Sequence, residues 1–292
     1  MQAQPLSPPA VEAPTVSVRR ATFRRMFRNR LSIFGCIVLG LIVLGVLVGP
    51  LIWTTSPTAQ DLTHAVASPS SHHPLGTDAL GRDTLARLLY GGRLSLAIAL
   101  LADVLATSVG VAIGLTAGFL RSLADGVLMR LMDVLFAFPS LLLAMAVVAV
   151  VGPGTVSVLV AVAVANVPYF ARLTRSVVIS IRERDFVLAA RASGVRRSRI
   201  MTRHVLRNSL SPVIVNMALV FGFTLLDVAA LGFLGLGVQP PKAEWGAMLN
   251  DGTQYLLTSP VVVLVPGFAI ALTAFSGNLV GDALNDAFDT SS

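Results

Sequence analysis

Long stretches without a charged side chain constrain this chain more than any other feature. Residues 31–53 form 23 consecutive residues without a charge, and about 20 helical residues suffice to cross the roughly 30 Å hydrocarbon core of a bilayer. Residues 134–171 form 38 such residues, which is too long for one span. Gly152, Pro153 and Gly154 interrupt this second stretch, because proline lacks a backbone donor and glycine permits a sharp turn. The stretch therefore predicts two membrane helices.

Composition supports a membrane environment for the whole chain. Of the 292 residues, 54% are hydrophobic and only 13% are charged, whereas roughly a quarter of the residues in soluble domains are charged. The apolar segments lack the alternation of a transmembrane barrel strand. We therefore predict an all-α integral membrane protein with about six transmembrane helices, at 31–53, 94–118, 127–151, 155–180, 210–236 and 260–281. Gly110, Gly114 and Gly118 recur at a spacing that allows two helices to approach closely.

The distribution of basic residues predicts the orientation. Placing the N-terminus in the cytoplasm puts 18 Arg side chains inside and four basic side chains outside, as the positive-inside rule favours. Both termini are then cytoplasmic, with a basic tail at 1–30 and a short tail at 282–292. Residues 54–91 form an extracytoplasmic segment, and residues 92–281 form the transmembrane core. This topology explains the net charge of +7, so we expect the lipid bilayer, and no nucleic acid, as the partner of the basic residues.

One cytoplasmic loop is longer than a connection requires. It covers about 181–209 and contains small residues at Ala189 and Ala190, followed by Gly194, which can end a helix in the left-handed conformation. A second, basic amphipathic helix is predicted after the glycine. Such a compact knuckle fits a groove on a partner protein, but a basic amphipathic loop also fits an anionic lipid surface. The pattern by itself leaves both interpretations open.

The same segment resembles the EAA loop of ABC importer permeases. The resemblance rests on Ala189 and Ala190, the three-residue gap to Gly194, and the later segment that contains His204, Leu206 and Asn208. Leu188 stands where the family usually has Glu, and Arg207 where Pro is common. The resemblance implies that these residues form the loop that couples the permease to an ATPase.

Three further segments narrow the resemblance. Residues 75–96, 229–251 and 278–289 are similar to the dipeptide/oligopeptide/nickel branch of these permeases, and most to its C-type subunits. The resemblance implies a type I ABC importer permease fold in the bacterial cytoplasmic membrane. It also implies a second homologous permease, two cytoplasmic ATPases and an extracytoplasmic binding protein that delivers di- or oligopeptides. Nickel, haem or antimicrobial peptides are alternative cargoes within the family, and an ion-coupled secondary transporter is the alternative outside it.

The sequence predicts a transport subunit rather than an enzyme. A phosphate-binding Walker loop needs a lysine after a glycine-rich turn, but Lys242 is the only lysine and has no such surroundings. We therefore expect ATP and Mg²⁺ on the partner subunits and no cofactor on this chain. His64, His72 and His73 lie in a loop rich in Ser and Pro, where we expect solvated side chains rather than a metal site.

Two further groups of residues are candidates for function. Asp103 and Asp227 lie within predicted spans, where a carboxylate is costly and therefore often functional. They are candidates to line the pathway, and pairing between helices or protonation is the alternative interpretation. A second group is predicted to form a rigid outer turn, with Trp245 at the membrane boundary; it consists of Pro240, Pro241, Glu244, Trp245 and Gly246. Near the cytoplasmic ends of the spans, Arg172 and Arg175 are predicted to reach out to the interface, and Asp133 is predicted to have a structural role beside Arg130.

Overall fold

A computed structural model describes residues 30–120 and 123–288, and these residues are almost entirely helical. Within these two ranges, five helices are long and apolar enough to cross a membrane, and one bent helix pair brings the number of spans to as many as six. The basic N-terminal tail lies outside the described residues, apart from Arg30. The helices are α1 Arg30–Ile52, α2 Thr84–Leu120, α3 Leu123–Phe136, α4 Ser140–Val151, α5 Thr155–Arg182, α6 Asp185–Ala192, α7 Arg207–Phe233, α8 Trp245–Gly252 and α9 Val261–Phe288.

The third predicted span differs from a single helix. Instead of one helix over 127–151, the chain forms α3 and α4, whose axes are bent by 93° at the intervening break. Pro139 lies in the break, directly before α4. Proline restricts the residue before it to extended conformations and is best tolerated at the start of a helix. By contrast, the predicted break between α4 and α5 is confirmed, with Gly152 at a φ of 94°.

Two spans begin earlier than predicted. Helix α2 starts at Thr84 rather than at residue 94, and the side chain of Asp83 accepts a hydrogen bond from the backbone of Ala86 at 2.6 Å, as a helix cap does. Helix α7 follows a helical turn, Arg197–Arg199, and a π-helical segment, Ile200–Leu206, without a break. Charged residues at the ends of both helices concealed this continuity, because hydropathy marks the apolar part of a helix rather than its ends.

Small residues bring α2 and α5 into close contact. A Cβ atom added to Gly110 would lie 2.5 Å from the Cβ of Phe170, and one added to Gly118 would lie 2.9 Å from a methyl carbon of Val178. Real Cβ atoms do not approach this closely, so the backbones can meet only where no side chain intervenes. The predicted close approach at the glycines of α2 is therefore confirmed.

Candidate functional site

The knuckle, residues 185–206, turns at Gly194 as predicted. The glycine has a φ of 72°, and the backbone N–H of Val195 donates to the carbonyl of Ala190 at 3.1 Å, as in a helix C-cap. An added Cβ at Gly194 would find no atom within 4 Å. The glycine is therefore required by backbone conformation rather than by lack of space.

A small hydrophobic cluster holds the knuckle against the ends of α2 and α5. Val187, Ile200 and Val205 are fully buried in this cluster, together with residues of the two helices. Ala190 and Leu206 pack against the cluster and are half-buried. Part of the predicted coupling motif therefore supports the knuckle from inside.

The remaining residues of the motif face outward. Ala189 is exposed, and beside it on α6 Phe186 and Leu188 keep 41% and 48% of their surface exposed. His204 is half-buried, and its carbonyl accepts a hydrogen bond from the exposed Asn208 side chain. The knuckle thus presents an apolar patch, Phe186, Leu188 and Ala189, among exposed arginines.

At the opposite end of the bundle, Glu244 organises the outer turn. Its carboxylate accepts hydrogen bonds from the backbone N–H groups of Gly246 at 2.9 Å and Ala247 at 2.8 Å, and from the hydroxyl of Ser95 at 2.8 Å. The first two bonds cap α8, and the third ties the turn to α2. Burial raises the pKa of Glu244, and these three hydrogen bonds oppose that rise only in part.

Trp245 corrects the prediction of an interfacial aromatic, because only 1% of its surface is exposed. Its indole N–H donates to the carbonyl of Leu88 at 2.9 Å, and its ring packs where a Cβ on Gly92 would lie 2.6 Å away. The neighbouring Gly246 lies directly against the carbonyl of Ala229. Pro240 and Pro241 are exposed at the tip of the turn.

The distribution of basic residues predicted the topology but not the largely buried charge cluster that lies beneath this turn. Arg82 donates to Asp78 at 2.6 Å and to Asp251 at 3.3 Å. Arg87 pairs with the same carboxylate oxygens, at 3.2 Å from Asp78 and 3.4 Å from Asp251. The local run of charges from Asp78 to Arg87 was the only signal available, because Asp251 lies far away in the sequence.

The two predicted pathway carboxylates each have a hydroxyl partner. The hydroxyl of Thr224 donates to one oxygen of the fully buried Asp103 at 2.8 Å, and Asp103 also borders a largely apolar cavity of about 660 Å³. The side chain of Ser140 hydrogen-bonds to the half-buried Asp227. These hydrogen bonds link Asp103 of α2 to α7, and Asp227 of α7 to α4.

The membrane-edge arginines of α5 form ion pairs with α3. Arg172 lies 2.6 Å from Asp133, so Asp133 pairs across helices rather than only neighbouring Arg130. Arg175 donates to both oxygens of Asp125, at 2.7 and 2.8 Å. These pairs fix the bent α3 against α5, a role that the prediction of interfacial anchors did not include.

Comparison with known families and relatives agrees with this architecture. Residues 110–291 match the profile of the binding-protein-dependent transport system inner membrane component family, and residues 17–73 match the N-terminal transmembrane domain of oligopeptide transport permease C. The dipeptide transport system permease protein DppC of Alkalihalophilus pseudofirmus is 43% identical, with 99% of this chain and 95% of that protein aligned. The nickel transport system permease protein NikC of Escherichia coli is 40% identical, over 80% of this chain and 84% of that protein.

Among solved structures, the inward-facing MetNI methionine ABC transporter has a similar fold. The TM-score is 0.53 at 17% sequence identity, and the match covers 68% of this chain and 96% of the solved chain. At this identity the likeness concerns the fold alone. Together with the family match, it shows that this chain belongs to the family of binding-protein-dependent transport system inner membrane components, as a multi-pass, all-helical permease subunit of a bacterial ABC importer.

Proposed function

We propose that this chain forms, with a second homologous permease, the translocation pathway of an ATP-driven importer for di- and oligopeptides. A binding protein delivers the peptide on the outer side, and two cytoplasmic ATPases supply the energy. The observation that carries the proposal is the 43% identity to a dipeptide permease across 99% of the chain. A di/tripeptide permease of Pseudomonas aeruginosa, 41% identical over the same share of the chain, supports it.

The proposed contact with the ATPase is the outward face of the knuckle. Phe186 and Leu188 are exposed apolar side chains on a segment outside the predicted spans, and Ala189 between them and the turn leaves room for close approach. Ala190, Gly194 and Leu206 hold this face in place from behind. Nucleotide-driven movement of the ATPases would then reach α7 directly, because the knuckle continues into that helix without a break.

The proposed roles of the other candidates follow from their positions. Asp103 and Asp227 are proposed to line the pathway, with Asp103 beside the cavity of about 660 Å³. The outer turn, residues 240–246, is proposed to be a rigid element at the outer mouth, because Glu244 ties it to α2.

The substitution Ala189→Trp tests the coupling contact. Ala189 is exposed, so a large side chain there should leave the subunit folded but exclude the ATPase from the knuckle. We expect the complex purified from membranes to lose its ATPases and its peptide uptake, with the amount of this subunit in the membrane unchanged. Ala189→Ser is the matched control, since it keeps the residue small, and it should retain both.

A lipid-binding loop predicts the opposite pattern. Neutralising exposed arginines of the knuckle, as in Arg197→Gln with Arg199→Gln, would then impair transport most, and Ala189→Trp would be tolerated. ATPases that remain bound to the Ala189→Trp complex, with normal uptake, would refute the coupling assignment.

A further inference from the structure

The buried charge cluster below the outer turn leaves one arginine incompletely paired. The Arg87 side chain is only 3% exposed, and its Nε and Nη2 atoms face Asp78 and Asp251. Its Nη1 atom is buried without a hydrogen-bond partner among the described residues. A buried donor without a partner costs about 1–3 kcal/mol, and more in a charged group. A hydrogen-bond acceptor placed beside Nη1 would therefore stabilise this side chain.

A cavity of about 180 Å³ adjoins this arginine. The charged residues that line it are Arg82, Arg87, Lys242 and Asp251, and the polar side chains of Gln239 and Asn250 join them. At roughly 30 Å³ per water molecule, the volume holds about six waters, which is room for a carboxylate and the small residue that bears it.

The charges around the cavity are unbalanced. The two arginines share two carboxylates, those of Asp78 and Asp251, so the ion cluster itself is neutral. Lys242 adds one positive charge at the exposed rim. An anion with one negative charge would therefore neutralise the site, and a carboxylate is the planar acceptor that a guanidinium edge matches best.

We propose that this cavity binds the C-terminal carboxylate of the transported peptide at the outer mouth of the subunit. Arg87 would donate from its free edge, and Lys242 would supply the balancing charge from the rim. This inference rests on the proposed function, since it takes a peptide as the cargo. Its position beside the outer turn, at the end of the bundle predicted to face outward, suits a site that receives the peptide on entry.

Protection of Lys242 from an amine-reactive acetylating reagent tests the site directly. Lys242 is the only lysine of the chain, so mass spectrometry of the labelled importer complex reads its reaction rate without ambiguity. N-acetyl-trialanine and its C-terminal amide are the two probes, compared at equal ionic strength. We expect the free acid at millimolar concentration to slow labelling at least fivefold, and the amide to leave the rate unchanged.

Substitutions then separate the site from a general charge effect. Arg87→Gln should abolish the protection by the free acid, whereas Arg93→Gln is the matched control on the same helix and should retain it, because Arg93 does not line this cavity. Equal rates with acid, amide and no peptide in the unsubstituted complex would overturn the proposal, even if Arg87→Gln fails to assemble. The proposal would also be overturned if Lys242 were protected from labelling only when the peptide-free binding protein is added, with no effect of the peptide acid.

The labelling does not depend on transport, so the two proposals can fail separately. A complex that imports peptides but shows no acid-specific protection refutes only the carboxylate site. A complex that imports no peptide, with no protection, refutes the peptide function and the site together.

Discussion

Removal of the Glu244 carboxylate should loosen the outer turn. In Glu244→Ala, the N–H groups of Gly246 and Ala247 and the hydroxyl of Ser95 lose their common acceptor. Hydrogen bonds to a charged group contribute about 1.5–3 kcal/mol each, which gives roughly 4.5–9 kcal/mol for three. The desolvation penalty of a buried ion, several kcal/mol, disappears with the carboxylate. We therefore expect a net destabilisation of about 2–4 kcal/mol.

Thermal unfolding of the purified subunit in detergent, followed by tryptophan fluorescence, measures this loss. Trp245 reports on the turn itself, since it is buried beside Glu244 and is one of only two tryptophans. At about 2–4 °C per kcal/mol for chains of 150–250 residues, the midpoint should fall by roughly 5–15 °C.

Asp61→Ala provides the matched control for this experiment. The Asp61 side chain also caps a short helix, accepting from the backbone of Thr63 at 3.1 Å, but it is exposed and ties no second element to the cap. Asp61→Ala should therefore lower the unfolding midpoint clearly less than Glu244→Ala does. If Glu244→Ala lowers the midpoint no more than Asp61→Ala, the reasoning about a buried, shared acceptor is wrong.

Glu244 also predicts a pH dependence: its pKa is raised in the folded state by burial, so its contribution to stability should grow as pH falls through that raised pKa. Glu244→Gln, which is neutral at every pH, should remove this part of the pH profile of the unfolding midpoint. Gly114→Leu should destabilise the α2–α5 contact by about 1–3 kcal/mol or more, because an added Cβ would lie 2.7 Å from the Cβ of Thr174. Gly40→Leu, where an added Cβ meets nothing within 4 Å, should leave the unfolding midpoint of the complex nearly unchanged. Gly194→Val should strain the left-handed turn of the knuckle by about 1–2 kcal/mol and release ATPases during purification, whereas Gly194→Asn should release fewer.

Much of the fold was accessible from sequence because membrane insertion depends on local properties. An uncharged run such as 31–53 predicts a membrane helix by its length and hydropathy alone, and the observed α1 covers Arg30–Ile52. The glycines at 152 and 154 likewise predicted the end of one helix and the start of the next. The bend at Pro139 was missed, because membrane helices often contain proline without breaking.

The sequence predicted only part of the structure of the knuckle. The spacing of Ala190 and Gly194 predicted a helix and a turn, since both depend on hydrogen bonds between residues close in the chain. The spacing did not predict that Ala190 faces inward while Ala189 faces outward. That distinction depends on the cluster around Val187 and Ile200, which forms only when α2 and α5 pack against the knuckle.

The sequence by itself therefore determined the apolar helices, the break at Gly152 and the helix–glycine–helix pattern of the knuckle, since each follows from neighbouring residues. Only the tertiary structure decided that Trp245 is buried and that Arg87 meets Asp251, 164 residues later in the chain. In a bilayer, isolated charges and aromatics are expected at the interface. Their burial becomes favourable only when distant helices supply the acceptors and opposite charges that replace water.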